Sequence, residues 1–330
     1  MRLVQFKDVH GTIKVGLVSV DGDFLQPLKE TRSTYELAMD AIRLNCDLEK
    51  LAAQRASEDR VVYDDVVSEK RLLPPLSHPD PAHCIVSGTG LNHLGSAMAR
   101  DAMHSTDPGK ISDSMKMFKI GLEGGKPQPG QIGAQPEWFY KGDGSCIVPP
   151  GHTLELPSYA FDGGEEAEVV GLYVISNSGE AFRLGFALGN EYSDHVLERE
   201  NYLYLAHSKL RQCSIGPELL VGRLPENVAG SVRVVRDGRT IWSSPFLTGE
   251  TNMTHSISNI EYHHFKYSRF RRPGDVHCHF LGASVLSYSG GVHAKPGDVF
   301  EISSPQFGRP LINSLAKGVV DYSTGEIRSL

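Results

Sequence analysis

At 330 residues the chain is long enough for one large domain, or a large one with a small companion. With 40% hydrophobic and 22% charged residues it reads as an ordinary soluble globular protein. Its net charge of -7 argues against nucleic acid or an anionic membrane as the main partner, and no apolar run reaches the roughly eighteen residues of a membrane span. The start, Met-Arg-Leu-Val-Gln-Phe-Lys-Asp, lacks the apolar core of a signal peptide, so a cytoplasmic location is expected. Cys46, Cys84, Cys146, Cys213 and Cys278 are scattered and form no Cys-x-x-Cys pair, which points to free thiols rather than a disulfide framework or a zinc knuckle.

Residues 1–80 read as a small α+β domain. Thr12–Val20 alternates as a strand, and Asp21-Gly22 offers a type I′ turn into Phe24-Leu25. Ser33-Thr-Tyr-Glu36 is a capping box, after which Leu37, Ala41, Leu44, Leu48 and Leu51 keep helical spacing. Pro74, Pro75, Pro79 and Pro81 mark the join to a second domain, 81–330. That domain opens on Ser87-Gly-Thr-Gly90-Leu-Asn92-His93-Leu-Gly95. The glycine spacing is wrong for a dinucleotide fingerprint and fits a loop of exposed amides near a pocket. Ser96 to about Gln135 has the composition of a flap, or of a long surface loop, with a short helix at Ala97–His104 carrying Arg100, Asp101 and His104. In Pro136-Glu-Trp-Phe-Tyr-Lys-Gly142, an extended backbone sets Glu137, Phe139 and Lys141 on one face.

The chemistry concentrates in Asp162-Gly-Gly-Glu165-Glu166-Ala-Glu168 and the apolar run Val169–Ile175. A strand beginning at Glu166 puts Glu166 and Glu168 on one face, where two carboxylates repel unless a cation or a shared proton compensates. Ser176–Gly179 turns the chain into a returning strand, Ala181–Leu188, which ends at Asn190-Glu191 beside that start. Glu166, Glu168 and Glu191 then form an all-oxygen site suited to Mg²⁺, Mn²⁺ or Ca²⁺ rather than zinc. Asp194–Leu205 starts as a helix and delivers His207 and Lys209, the latter between an apolar Leu-Tyr-Leu and a Gly-Pro turn, where burial is expected. Ser231–Trp242 is a hairpin turned by Asp237-Gly238, and Pro-Gly-Asp turns at 273–275 and 296–298 punctuate a β-rich tail.

Taken together, Glu166-x-Glu168, Asn190-Glu191, a following lysine, Ile215-Gly-Pro217, Leu281-Gly-Ala-Ser284 and Gly308-Arg-Pro-Leu-Ile-Asn313 resemble the fumarylacetoacetate hydrolase superfamily over nearly the whole chain. The resemblance implies an α+β, mainly β fold, a mixed β-roll or sandwich catalytic domain preceded by a small N-terminal domain, and a homodimer. It also implies that Glu166, Glu168 and Glu191 bind Mg²⁺ or Mn²⁺, with Glu191 where the family has Asp. Glu200–Lys209, Arg100–His104 and Pro136–Lys141 resemble the 2-keto-3-deoxy sugar-acid dehydratases and GguC-type proteins of that superfamily. Counting back from Gly216 instead sets His207 at the family's lysine. The hydrolases' Asn-Tyr-x-x-His reads Asn92-His93-Leu-Gly-Ser96, and their Thr-Gly-Thr-Pro reads Leu281-Gly282-Ala283-Ser284. Both departures favour a different 2-oxo acid.

The expected activity is dehydration of a 2-keto-3-deoxy sugar acid (a pentonate) through a metal-stabilised enolate. Lys209 or Glu137 moves the C3 proton, and His104 or Lys141 assists loss of the C4 hydroxyl. Asn92, His93, Arg100, His207, Gly282 and Ser284 are the candidate substrate contacts. One rival is a C–C bond hydrolase of acylpyruvates on the same metal. A second is a zinc or non-catalytic binding protein built on His277-Cys-His279 and His263-His264.

Overall fold

The computed structural model describes residues 1–104, 111–319 and 327–330, the side chain of His104 excepted. Its N-terminal segment supplies β1 (Arg2–Lys7), β2 (Ile13–Val18), β3 (Phe24–Pro27), α1 (Thr34–Leu44), α2 (Leu48–Arg55), β4 (Val61–Val62) and α3 (Tyr63–Ser68). β2 and β3 pair, but Val18 faces Leu25, so residues 19–24 make a wider turn than the two-residue one expected. Side-chain bonds close it: Ser19 Oγ donates to Asp21 Oδ1 at 2.5 Å and accepts from the Phe24 amide at 3.0 Å. α1 starts at the capping box, where Ser33 Oγ accepts from the Glu36 amide at 3.0 Å. The helical spacing from Leu37 to Leu51 is divided between α1 and α2. Asn45 takes a left-handed φ of 50°, and its amide returns to carbonyls of the last turn.

The chain continues through β5 (Cys84–Gly88), α4 (Leu94–His104), α5 (Asp113–Gly124), β6 (Phe139–Asp143), β7 (Ile147–Val148), β8 (Thr153–Leu156), β9 (Ala167–Ile175) and β10 (Ala181–Asn190). After these come α6 (His195–Glu200), α7 (Leu205–Lys209), β11 (Cys213–Ile215), β12 (Glu218–Val221), β13 (Val228–Arg236) and β14 (Arg239–Thr248). α8 (Ile257–Phe265), β15 (Val276–Phe280), β16 (Val299–Ser303) and β17 (Leu311–Lys317) complete the order. Among the described residues one sheet runs β4-β3-β2-β1-β12-β10-β9-β15-β5-β6, with β11 and β7 attached beside the end of β10. The N-terminal strands therefore continue the same sheet through the β1–β12 pairing. A second sheet, β14-β13-β16-β17-β8, lies against it. The β13–β14 turn has φ of 51° at Asp237 and 73° at Gly238, as a type I′ turn requires.

β9 is buried along its whole length because both of its faces are covered. Val170, Leu172 and Val174 pack with Val86, Phe280 and the α1 residues Leu37 and Ala41. On the opposite face, Val169 joins Phe186 and Leu188 against Val232, Phe246 and Ile302 of the second sheet. Each such side chain contributes about 1.5–3 kcal/mol of burial, so the strand that leads out of the acidic cluster is the most heavily anchored in the molecule. The Asp residues of the two Pro-Gly-Asp turns are structural: Asp275 accepts from His83 at 2.7 Å and Arg272 at 3.0 Å, and Asp298 takes Arg236 at 2.7 Å.

Where β10 passes β12, Gly185 interrupts the β9 register, and a Cβ there would run into the backbone carbonyl of Leu220. Gly185→Ala is expected to lower unfolding stability by about 1–3 kcal/mol, read as a fall in the denaturant midpoint. An unchanged midpoint would show that β12 yields without cost.

Candidate active site

The β9–β10 ladder builds the acidic cluster. Gly189 pairs with Glu168 and Asn190 with Ala167, and the Glu191 amide donates to the Glu166 carbonyl at 2.9 Å. β9 begins one residue later than expected, at Ala167, while Glu166 bridges to Leu286 on its other side. Asn190 Oδ1 accepts from the amides of Tyr192 at 3.1 Å and Glu166 at 3.3 Å, clamping the two chain segments together. The outcome is that Glu166, Glu168 and Glu191, all buried, have carboxylate oxygens within 4.8 Å of one another.

Three cationic groups hold this charge in place. Lys209, 1% exposed, donates from Nζ to Glu166 Oε1 and Glu191 Oε2, reaches Ser193 Oγ at 3.1 Å, and lies 5.1 Å over the Phe139 ring. His207, the other candidate for the family's lysine, is exposed and lies edge-on to the Tyr204 ring. Lys141 pairs with Glu191 Oε1 at 2.7 Å and donates to the carbonyls of Glu191 and Tyr192, both at 2.5 Å. Its ammonium is directed at these two carbonyls and at Glu191, an arrangement that clamps the end of β10. His195 Nε2 lies 3.2 Å from Glu166 Oε1, and Nδ1 lies 3.7 Å from Asp162 Oδ2. Tyr288 stacks on its ring at 5.2 Å.

The electrostatics follow from burial against these partners. Burial opposes the Glu166 charge, but Lys209 and His195 outweigh it and hold the carboxyl well below its usual range. Glu168 goes the other way: burial, then the charges of Glu191 and Glu166, push it well up, although the Gly282 amide donates to it at 2.7 Å. Burial also raises Glu191, against Lys141 and Lys209. Burial pulls on the His195 imidazolium, yet Asp162 and Glu166 raise it to about 10. For Lys209 burial is likewise outweighed, by Glu166 and Glu191, and its ammonium is held above the usual range.

A second ionic group adjoins the first. Arg100, on α4, donates to both oxygens of Glu137 at 2.8 and 2.9 Å and pairs through Nε with Glu198 at 2.8 Å. Tyr202 OH donates to Glu137 Oε1 at 3.1 Å, and burial followed by the Glu137 charge pushes its phenol up to about 12. Arg100 feels the Glu166 charge, and Lys209 feels Glu198, so the two groups share one field. Glu137 lies against Gly90, where a Cβ would displace its Oε2. Thus α4, within the stretch whose composition suggested a flap, closes over the acidic cluster.

The remaining candidates divide. Asn92 is a structural hub, donating to the Leu281 carbonyl at 2.9 Å and accepting from the amides of Thr254 at 3.1 Å and His255 at 3.0 Å. His93 bonds Thr248 Oγ1 at 3.0 Å on the far side. Gly282 supports Glu168, and Ser284 Oγ is buried without a hydrogen-bond partner among the described residues. The His104 side chain lies outside the described residues. Sequence reasoning missed Asp162, His195, Glu198 and Tyr202. Only Glu198 had a signal, lying three residues past His195 on one face of a helix already expected.

The acidic cluster fits a hard divalent cation. All its donors are carboxylate oxygens, and among the described residues no His or Cys belongs to the group. The zinc alternative meets a different geometry. His264 Nε2 faces His277 Nδ1 at 2.9 Å, and His279 is held by Ser87 and Thr89, both at 2.9 Å. Those rings bond to one another and to hydroxyls, and among the described residues they form no metal-sized group.

No family model matches the chain. It is 26% identical over 242 residues to a protein of Haloferax volcanii described as a probable 2-keto-3-deoxyxylonate dehydratase, covering 71% of each chain. Its fold matches the apo form of a 2-keto-3-deoxy-D-arabinonate dehydratase with a TM-score of 0.70 at 19% identity, covering 97% of this chain and 100% of that one. The same type of enzyme complexed with magnesium and 2,5-dioxopentanoate gives 0.69 at 19% identity, over 96% and 99%. A 5-carboxymethyl-2-hydroxymuconate delta-isomerase from Mycobacterium smegmatis gives 0.58 at 17% identity, over 96% and 100%. These likenesses establish the mixed, mainly β fold.

Two outcomes follow from the geometry. Lys209→Met leaves Glu166 and Glu191 without their shared ammonium and should cost about 3–5 kcal/mol in metal-free protein. Added Mg²⁺ or Mn²⁺ should return a large part of it, and a midpoint insensitive to both changes would contradict the charge balance. Burial also lowers His93, His255 and His264 to about 4 from 6.5. Between these values the unfolded chain binds more protons than the folded one, so stability rises with pH and is lost as pH falls from 6.5 to about 4. Denaturant titrations across that window should show this share of the pH slope, on the order of 1.4 kcal/mol per unit per histidine, reduced in His93→Gln.

Proposed function

We infer that the chain belongs to the sugar-acid dehydratase branch of the fumarylacetoacetate hydrolase superfamily and is a divalent-metal-dependent hydro-lyase acting on a 2-keto-3-deoxy pentonate. The observation that carries this reading is the convergence of Glu166, Glu168 and Glu191 in one buried all-oxygen group, next to a second ionic group centred on Glu137. Bound there, a Mg²⁺ ion would supply Lewis-acid polarisation of the carboxylate and keto oxygens of a 2-oxo acid.

The residues of the chain divide the remaining work. Glu137, oriented by two bonds from Arg100 and one from Tyr202, removes the C3 proton. Lys209, held as an ammonium by carboxylates, donates to the C4 hydroxyl as it leaves as water. Elimination across C3 and C4 leaves an allylic alcohol at C5; moving a C5 hydrogen to C3 gives the C4–C5 enol, whose hydroxyl proton passes to C4 to yield the C5 aldehyde. For a pentonate that product is 2,5-dioxopentanoate, the compound held by the magnesium-bound dehydratase structure. Arg100 and the closure of α4 exclude water from the site and hold the sugar chain beside Glu137. Lys141 and His195 keep Glu191 and Glu166 aimed at the cation.

Hydrolysis of an acylpyruvate on the same carboxylates is separated by its products, because dehydration keeps the carbon skeleton whole and hydrolysis releases two acids. With Mg²⁺ and a 2-keto-3-deoxy pentonate, mass analysis should show the loss of one water and no smaller acid. Glu137→Gln should lower kcat by about 10²–10⁴ while leaving the metal bound. Release of two fragments, or undiminished turnover by Glu168→Ala in the presence of a chelator, would end this reading.

A further inference from the structure

Two pairs of cysteines come together in the fold, and they differ in access. Cys84 and Cys278 lie on the paired strands β5 and β15, both inside the main core. Cys146 instead ends the short turn after β6, immediately before β7, and is half-buried. Cys213 opens β11 and is fully buried. β7 and β11 run parallel with Ile147 opposite Cys213, which sets the two sulfurs 4.0 Å apart. They need to approach by about 2 Å to reach disulfide bonding distance. Cys146 belongs to a turn and not to the ladder, so its backbone can follow.

The surroundings favour reaction at Cys146. It lines a surface cavity of about 450 Å³ with Lys141, Ser145, Arg211 and Gln212, a path for a small oxidant. The hydrogen bond with Cys213, and the Lys141 charge against the opposing effect of burial, hold its thiol below the usual range. Burial pushes Cys213 well up, so the two sulfurs suit different steps: an accessible attacking thiolate and an enclosed resolving thiol.

We propose that Cys146 and Cys213 form a reversible oxidation site, at which hydrogen peroxide produces a disulfide tying the turn before β7 to β11. The Cys146 thiolate attacks one peroxide oxygen, the O–O bond breaks, and the departing hydroxide is protonated to water, leaving a sulfenic acid. Cys213 sulfur attacks that sulfur, the S–O bond breaks, and a second water leaves with the Cys213 proton. Two thiols are oxidised by two electrons, and the peroxide is reduced by the same two. The bond acts beside the acidic cluster. β11 pairs Ser214 with Asn190, one residue before Glu191, and Lys141, which grips Glu191, lines the same cavity as Cys146. Oxidation therefore shifts the grip on Glu191 and weakens divalent-cation binding, a consequence that rests on the metal reading of the carboxylates.

The full chain, treated with equimolar hydrogen peroxide and digested without reduction, should yield one cross-linked peptide pair containing Cys146 and Cys213, which a dithiol reverses. Cys84 and Cys278 should remain thiols, alkylated only after unfolding. In Cys213→Ser, treated with two equivalents of peroxide, the product should change to sulfinic acid at Cys146. Sulfinic acid at Cys146 in the unaltered chain, or a Cys84–Cys278 cross-link as the main product, would overturn the proposal. Mn²⁺ titration should show binding weaker by on the order of tenfold in the cross-linked form, recovered on reduction. Equal affinity in both forms would overturn the coupling. Absence of Mn²⁺ binding in the reduced protein would count against the metal reading and leave the thiol chemistry intact.

Discussion

Three buried carboxylates packed within one hydrogen-bonded hairpin are an unstable arrangement by themselves, and much of the surrounding structure serves to compensate them. Desolvation and mutual repulsion both act to neutralise Glu166, Glu168 and Glu191. Lys209 joins Glu166 and Glu191, Lys141 also pairs with Glu191, and His195 links Glu166 to Asp162. The compensation is unequal: Glu166 is driven towards the carboxylate, while Glu168 is driven towards the neutral acid. A divalent cation, which favours the charged form of all three, would find in Glu168 the acid most changed by its arrival.

The sheet supplies the rigidity that such a cluster demands. β9 is covered on both faces, and its neighbours β10 and β15 are themselves paired on their outer sides to β12 and β5. Glu168 stands in the central ladder itself, and Glu166 and Glu191 adjoin its end, joined by the Glu191 amide on the Glu166 carbonyl. α4 packs apart from this ladder, through Ala97 against Leu91 and Phe118. Arg100 on that helix joins Glu137 to Glu198, and the reactive side chains are covered through one guanidinium. On the proposed function, a sugar acid bound beside Glu137 would exchange these Arg100 contacts for its own.

On the other side of the same sheet the buried imidazoles of His264, His277 and His279 form a hydrogen-bonded set with Trp138, Ser87 and Thr89. A His-x-His pair on a strand points one way whether it serves a metal or a core. What separates the two is whether acidic or thiol partners face it, and hydroxyls and an indole do so here. The two Pro-Gly-Asp turns make the same point, since their acids bind arginines and a histidine and take no part in the acidic cluster.

Much of this was legible in the residues alone. A period of two put Glu166 and Glu168 on one face, the Ser176–Gly179 turn returned the chain, and the Asn190-Glu191 end arrived beside them, because strand alternation and hairpin closure are local geometry. The cap at Ser33 and the turn at Asp237-Gly238 were legible for the same reason. Spacing could not choose between His207 and Lys209, two residues apart on a short helix, nor show Lys141 clamping the end of β10. It could not divide α1 from α2 at Asn45, or find His195 and Asp162. Those outcomes depend on which charges the folded chain deprives of water together, and desolvation is a property of the assembled interior that no segment of sequence possesses by itself.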